Sequence, residues 1–165
     1  MPAIEISSAA PADADEIVRM VAALSRQEGD PDDLFDRTHV MADMFGEAPW
    51  LNGQIARVDG AIGGVALWHR AYETSQAARG GFVTSLWVDP PFRRLGVATR
   101  LIAAVAANAA DHGATFLWWA SKPLNARAHA TYASLGAGAE EVVAHALVRD
   151  RFNAMVANAK TGRRT

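Results

Sequence analysis

The chain has 165 residues, half of them apolar, with five tryptophans, no cysteine and a formal net charge of −2. That is enough apolar chain for one self-supporting domain over residues 1–165, and it excludes a disordered chain, a disulfide scaffold, a thiol nucleophile and thiolate metal sites. Basic residues are scattered except at Arg93-Arg94 and Arg163-Arg164, which argues against a nucleic-acid groove, and no run approaches the roughly 18 apolar residues of a membrane span, so a soluble cytoplasmic protein is expected.

Ile4-Glu5-Ile6 alternates like a strand edge, and Ser7 to Ala12 leads into a helix whose first turn carries Asp13, Asp15 and Glu16. Acids there complement the helix dipole. Ile17, Met20, Val21 and Leu24 recur at helical spacing up to Gly29. Asp30-Pro31-Asp32-Asp33 is expected to open a second helical segment, with Leu34, Phe35, Val40, Met41, Met44 and Phe45 as its apolar members and Gly46 at its end. Residues 50–58 and 61–72 predict antiparallel strands joined at Asp59-Gly60, a tight-hairpin dipeptide. Tyr72 to Gly81 is expected to be a polar loop.

Phe82, Val83, Leu86, Trp87 and Val88 then have the aromatic and β-branched character of a buried central strand, stopped by Asp89-Pro90-Pro91. Arg93-Arg94-Leu95-Gly96-Val97-Ala98-Thr99 runs from there into a helix of about Gly96 to His112, with Leu101, Ile102 and Val105 on its buried face and Gly113 as its stop. A helix start carries unpaired N–H groups and about half a positive charge, so an open glycine loop at that point holds phosphate oxygens. Gly96 and Ala98 keep the approach clear, and Arg93 and Arg94 add donors that suit a pyrophosphate.

Thr115 to Ala120 reads as a buried strand. In Asn125-Ala126-Arg127-Ala128-His129-Ala130-Thr131-Tyr132-Ala133-Ser134-Leu135-Gly136 the residues Asn125, Ala128 and Tyr132 share one helix face, and Gly136 closes the helix. Glu140 to Arg149 is expected as a last strand, Phe152 to Ala157 as a short terminal helix, and the tail from about Lys160 as frayed. The five histidines show no metal spacing, and no metal is expected.

Arg93, Gly96 and Ala98 resemble the pyrophosphate signature [Q/R]-x-x-G-x-[G/A] of the GCN5-related N-acetyltransferase (GNAT) superfamily. Asn125, Ala128, Tyr132 and Gly136 resemble its second signature, N-x-x-A-x-x-x-Y-x-x-x-G. Order, spacing and structural context agree, and the likeness is closest in flavour to the diamine (polyamine) branch. The resemblance implies an α+β, three-layer fold: a mostly antiparallel sheet of six to seven strands, splayed between the fourth and fifth and flanked by four main helices. It implies acetyl-CoA as cofactor, held by Leu86, Trp87, Val88, the loop Arg93 to Thr99, Asn125, Ala128 and Tyr132.

By the same resemblance Tyr132 is the general acid for the departing thiolate, since a phenol stays protonated at neutral pH. The acceptor is expected to be the primary amine of a small molecule, attacking directly in a ternary complex. Glu28, Asp32, Asp33 and Asp36 are candidates to attract it, with Glu73, His69, Thr84 and Ser85 near its pocket. The diamine branch places a glutamate where this chain has Thr84, so the base is open between Glu73, Glu28 and a water chain. A protein or peptide acetyltransferase and a degenerate acyl-CoA sensor are the alternatives. A homodimer is expected because family members often pair through their last strands.

Overall fold

The computed structural model describes residues 2–161; Arg163-Arg164 and the rest of the expected frayed tail beyond Thr161 lie outside the described residues. The chain forms two compact units, Met1–Ala130 and Thr131–Thr165. The first contains one sheet of five strands in sequence order: β1 (Ile4–Ser8), β2 (Asn52–Val58), β3 (Ala61–Glu73), β4 (Ala78–Val88) and β5 (Phe116–Trp119). The first four are antiparallel, and β5 runs parallel to β4. The helices are α1 (Ala14–Glu28), α2 (Arg37–Phe45), α3 (Val97–Ala110), α4 (Ala126–Ser134) and α5 (Asp150–Thr161).

The expected α+β class with its mostly antiparallel sheet is present, with fewer strands than the six to seven expected. Among the described residues Glu140 to Arg149 forms no strand, and Val142, Val143, Leu147 and Val148 are exposed there. Alternating apolar residues make a strand only with a ladder partner to satisfy their backbone.

Helical spacing in α1 puts Ile17 and Met20 fully inside the protein, beside Val40 and Met44 of α2 and Ile55, Val65, Leu67 and Trp87 of the sheet. Gly29, at φ 73°, ends α1 in the left-handed conformation that glycine tolerates best. Asp13 is not in the first helical turn as expected. It lies in a 3-10 turn, Pro11–Asp13, buried and bound by Arg57 Nη2 at 2.6 Å and by the amide of Ala10 at 2.9 Å. A buried carboxylate needs such partners. The segment from Asp30 also differs: α2 starts only at Arg37, where Asp36 Oδ1 accepts from the His39 amide at 3.0 Å.

On the other face α3 buries Val97, Leu101, Ile102, Val105 and Ala109, and comes so close to β3 that a Cβ on Gly64 would meet Leu101 and Val97 at 3.1 and 3.2 Å. Trp68 is buried on that side too, and its indole Nε1 is a buried polar side-chain atom with no hydrogen-bond partner among the described residues. Asp59 (φ 50°) and Gly60 (φ 84°) form the expected tight turn between β2 and β3. The expected loop from Tyr72 to Gly81 shrinks to residues 74–77, because Tyr72 still pairs with Arg79 and Ala71 with Gly80.

Two irregularities of β4 shape the site. The register against β3 jumps from Trp68↔Val83 to Leu67↔Ser85, leaving Thr84 as the extra residue of a β-bulge. Pairing with β5 covers Gly80 to Val83 only. From Thr84 to Val88 no strand among the described residues pairs with β4 on the β5 side, which is the expected splay between fourth and fifth strands.

Candidate active site

Leu86, Trp87 and Val88 end β4, opposite Ala66, Val65 and Gly64 of β3. Because β5 has already stopped, one side of this stretch's backbone has no ladder partner among the described residues. Trp87 is buried, and its Nε1 donates to Asp89 Oδ1 at 2.8 Å. The same carboxylate receives both Nη groups of Arg19 on α1, at 3.1 and 2.6 Å. Burial disfavours the Asp89 anion, but the bonds from Arg19 and Trp87 outweigh it and hold the carboxyl below its ordinary range. Arg19 is held correspondingly above the ordinary guanidinium value, chiefly by its bond to Asp89.

The two loop arginines take different places. Arg93 is half-buried and turned back onto β4: its Nε donates to the Val88 carbonyl at 2.8 Å, and its guanidinium carbon lies 4.8 Å from the centroid of the Trp87 ring. Burial first, and the charge of Arg127 second, lower its proton affinity. Arg94 is exposed, with φ 64°, next to the exposed Leu95. Gly96 follows at φ 82°, with nothing within 4 Å of where a Cβ would stand, and no side chain caps α3. The amides of Val97, Ala98 and Thr99 thus open the helix with the positive end of its dipole, in an open cradle that fits a diphosphate.

Asn125 caps α4. Its Oδ1 accepts from the Ala128 amide at 3.1 Å, while its Nδ2 donates to Glu28 Oε1 at 2.9 Å. Lys122 Nζ, just before, bonds the Glu28 carbonyl and stands 3.0 Å from Asp30 Oδ1, and Arg127 Nη2 donates to Gln27 Oε1 at 2.7 Å. Glu28 and Asn125, 97 positions apart, are therefore in contact. Asp32 and Asp36 are held by Arg26 and His39. In the second unit Tyr132 is half-buried on α4, and its carbonyl accepts from the amides of Leu135 and Ala137 at 3.0 and 3.2 Å. Gly136, at φ 77°, closes this helix as expected.

Thr84, at the bulge, is exposed, and its Oγ1 donates to the Leu67 carbonyl at 3.2 Å; Ser85 is half-buried opposite Leu67. Glu73 stands elsewhere. Its Oε1 accepts from the Ser75 amide at 2.9 Å at the far end of the β3–β4 hairpin, a bond that holds its carboxyl below the usual range. Its partner Ala78 is six residue steps along the strand from Thr84, about 20 Å. The Arg19–Asp89–Trp87 group and the Lys122 contact were not foreseen, since ion pairs between residues 70 or more apart leave no periodic trace in a sequence.

Residues 16–137 match the sequence model of the family described as Acetyltransferase (GNAT) family. The chain belongs to that family, and it is an N-acetyltransferase whose cofactor is acetyl-CoA. It is 29% identical over 146 residues to the thialysine N-epsilon-acetyltransferase of Bos taurus, covering 83% of this chain and 85% of that protein. The fold is shared with aminoglycoside N-acetyltransferase AAC(6')-Iy in complex with CoA (TM-score 0.73, 24% identity, 90% of this chain and 97% of that one). It is shared equally with the ribosomal-protein-alanine N-acetyltransferase of Brucella melitensis biovar Abortus 2308 (TM-score 0.70, 22% identity, 87% and 98%).

Proposed function

We propose that this enzyme acetylates the primary amine of a small molecule, with both reactants bound together. Acetyl-CoA, when bound, supplies an activated acyl thioester. The chain's own contribution is to hold and orient: the uncapped start of α3 with Gly96, Ala98 and Thr99 takes the diphosphate, and the backbone of Leu86 to Val88 takes the arm. Orientation of two bound reactants is a large part of what such a site provides. The observation that carries this is the open cradle at Gly96 beside a central strand whose outer edge is left without a ladder partner among the described residues.

A small acceptor is supported by the likeness to an enzyme of thialysine and by Glu28, whose carboxylate is available at the end of α1 with one bond to a neutral amide. Tyr132 is assigned as the group that protonates the leaving thiolate, because its place in the Asn125–Gly136 motif is that of the family's tyrosine. The proposal extends to a cytoplasmic homodimer, supported by the exposed Val142, Val143, Val148 and Phe152 of the closing residues. Light scattering that returns the mass of one chain would set the dimer aside.

The test is a thiol-release screen with thialysine, polyamines, aminoglycosides, amino acids and peptides. Turnover of a small amine supports the proposal, and turnover of peptides alone overturns it. Tyr132→Phe is expected to lower kcat by about a hundredfold, with coenzyme A affinity changed by no more than about twofold. Equal kcat in the variant removes Tyr132 from the chemistry.

A further inference from the structure

The amine that attacks must shed a proton, and the residues first considered for that task do not serve it. Thr84 and Ser85 carry hydroxyls that are no base at neutral pH. Glu73 is about 20 Å down the hairpin with its carboxylate bonded to Ser75, and Glu28, held at the end of α1 by the Asn125 amide, is the carboxylate already proposed to attract the acceptor as a cation. His69 has a different environment. It lies on β3 opposite Phe82 of β4, which in turn lies opposite Trp118 of β5.

The three rings form a continuous wall. His69 and Phe82 centroids are 5.3 Å apart, and Phe82 meets Trp118 edge-on at 5.2 Å. His69 and Phe82 are half-buried and Trp118 is 52% exposed, so the wall has an open side. It faces away from α3: the ring of Trp68 approaches Gly81, and Trp68, Arg70 and Arg79 line a separate cavity of about 300 Å³ with Ala109 and His112 at the end of α3. One pair further along β4 is Val83, the last residue held by β5, and the next is the bulged Thr84. The wall therefore ends where the two strands part.

The imidazole is also fixed in one tautomer. Its Nδ1 is 2.9 Å from the carbonyl oxygen of Arg70. A carbonyl oxygen only accepts, so Nδ1 carries the hydrogen, and in the neutral ring the lone pair lies on Nε2. The ring packed beside it from β4, Phe82, and the Trp118 ring beyond it from β5 are not titratable. On its own strand Arg70 is turned to the cavity on the α3 side, and Glu73 is held by Ser75. Among the described residues His69 makes no ion pair; of the acids of the α1–α2 segment, Asp32 is on Arg26, Asp30 on Lys122 and Asp36 on the His39 ring.

We propose that His69 is the proton acceptor for the incoming amine, with Phe82 and Trp118 as the aromatic surface that receives its cation. This rests on the amine acceptor proposed above. An ammonium is drawn to ring faces, which also shield it from water. The ammonium first gives one proton to His69: an N–H bond breaks, its electron pair stays on nitrogen as the lone pair that attacks, an Nε2–H bond forms, and the imidazolium returns the proton to bulk water. The second N–H proton, made acidic by the attack, leaves by the same route while the departing thiolate is protonated by the acid assigned above. Arg70 acts through its main chain, which keeps Nε2 bare.

The test compares wild type, His69→Gln and His69→Ala on the best acceptor of the screen at saturating acetyl-CoA, with calorimetry of coenzyme A binding. His69 is half-exposed, so both variants should fold, and circular dichroism checks this. The expected result is a kcat lowered about a hundredfold in both, coenzyme A affinity within about twofold of wild type, and recovery of His69→Ala by added imidazole. A His69→Gln kcat within about threefold of wild type overturns the assignment, and so does a His69→Ala variant that imidazole does not restore. Should wild type acetylate only peptides, the small-molecule acceptor is lost, and the same comparison run on the peptide still decides the role of His69.

Discussion

Asp89 separates the end of the central strand from the Arg93 to Thr99 loop, and one carboxylate organises both. It fixes the indole of Trp87, on whose ring Arg93 rests, and it ties α1 in place through Arg19. Since Arg19 is 44% exposed, solvent screens the pair, and Asp89→Asn is expected to cost only about 1 kcal/mol. The pH dependence has a defined sign. A carboxyl held below its unfolded value stabilises the fold above the unfolded pKa of about 3.9 and loses that contribution as pH falls through the folded value. Urea midpoints of wild type and Asp89→Asn should therefore differ at neutral pH and converge below about pH 4. A constant gap down to pH 2 would contradict this.

Among the elements, α3 is the one whose end matters most. Gly96 has open space around its missing Cβ but a left-handed backbone, so Gly96→Ala is expected to lose about 1 to 2 kcal/mol from strain alone, without collision inside the protein. Gly96→Glu adds a negative charge at the proposed diphosphate site, and calorimetry should find no coenzyme A binding; undiminished affinity would refute the loop's assignment. This loop was legible in the sequence because its information is local: prolines that stop a strand, a glycine before an apolar helix, an arginine three residues ahead. The Asp59-Gly60 turn was legible for the same reason. The start of α2 was not, because Pro31 with Asp30, Asp32 and Asp33 looks like a helix opening, while the true cap, Asp36, is followed by the unremarkable Arg37-Thr38-His39. The β3–β4 hairpin was underestimated because its last pairs are polar. There Gly80 leaves room for the Phe116 ring, which a Cβ would meet at 2.3 Å.

Within the first unit the sheet is built from neighbours in sequence, while residues near 27–30 and 122–127 are joined across the chain. Lys122 to Asp30, Asn125 to Glu28 and Arg127 to Gln27 make that connection. Exposed contacts of this kind contribute about 0.2 to 1 kcal/mol each, so Lys122→Ala should barely shift Tm, whereas Asn125→Ala also removes the cap of α4 and should cost about 1 kcal/mol more. The effect of the pair should appear in amide exchange, faster both at 121–128 and at the end of α1, with the sheet unchanged. Exchange confined to one of the two segments would show that they are not coupled. Among the described residues no helix is long and apolar enough to cross a membrane, and no three His, Asp or Glu side chains gather as a metal would require.

The indole of Trp68 has a consequence for observing the molecule. An indole proton that is buried and has no hydrogen-bond acceptor among the described residues lacks the deshielding that a partner imposes. In nitrogen-edited magnetic resonance it should stand upfield of the other four tryptophan signals and outlast them in heavy water, vanishing only when the whole interior opens.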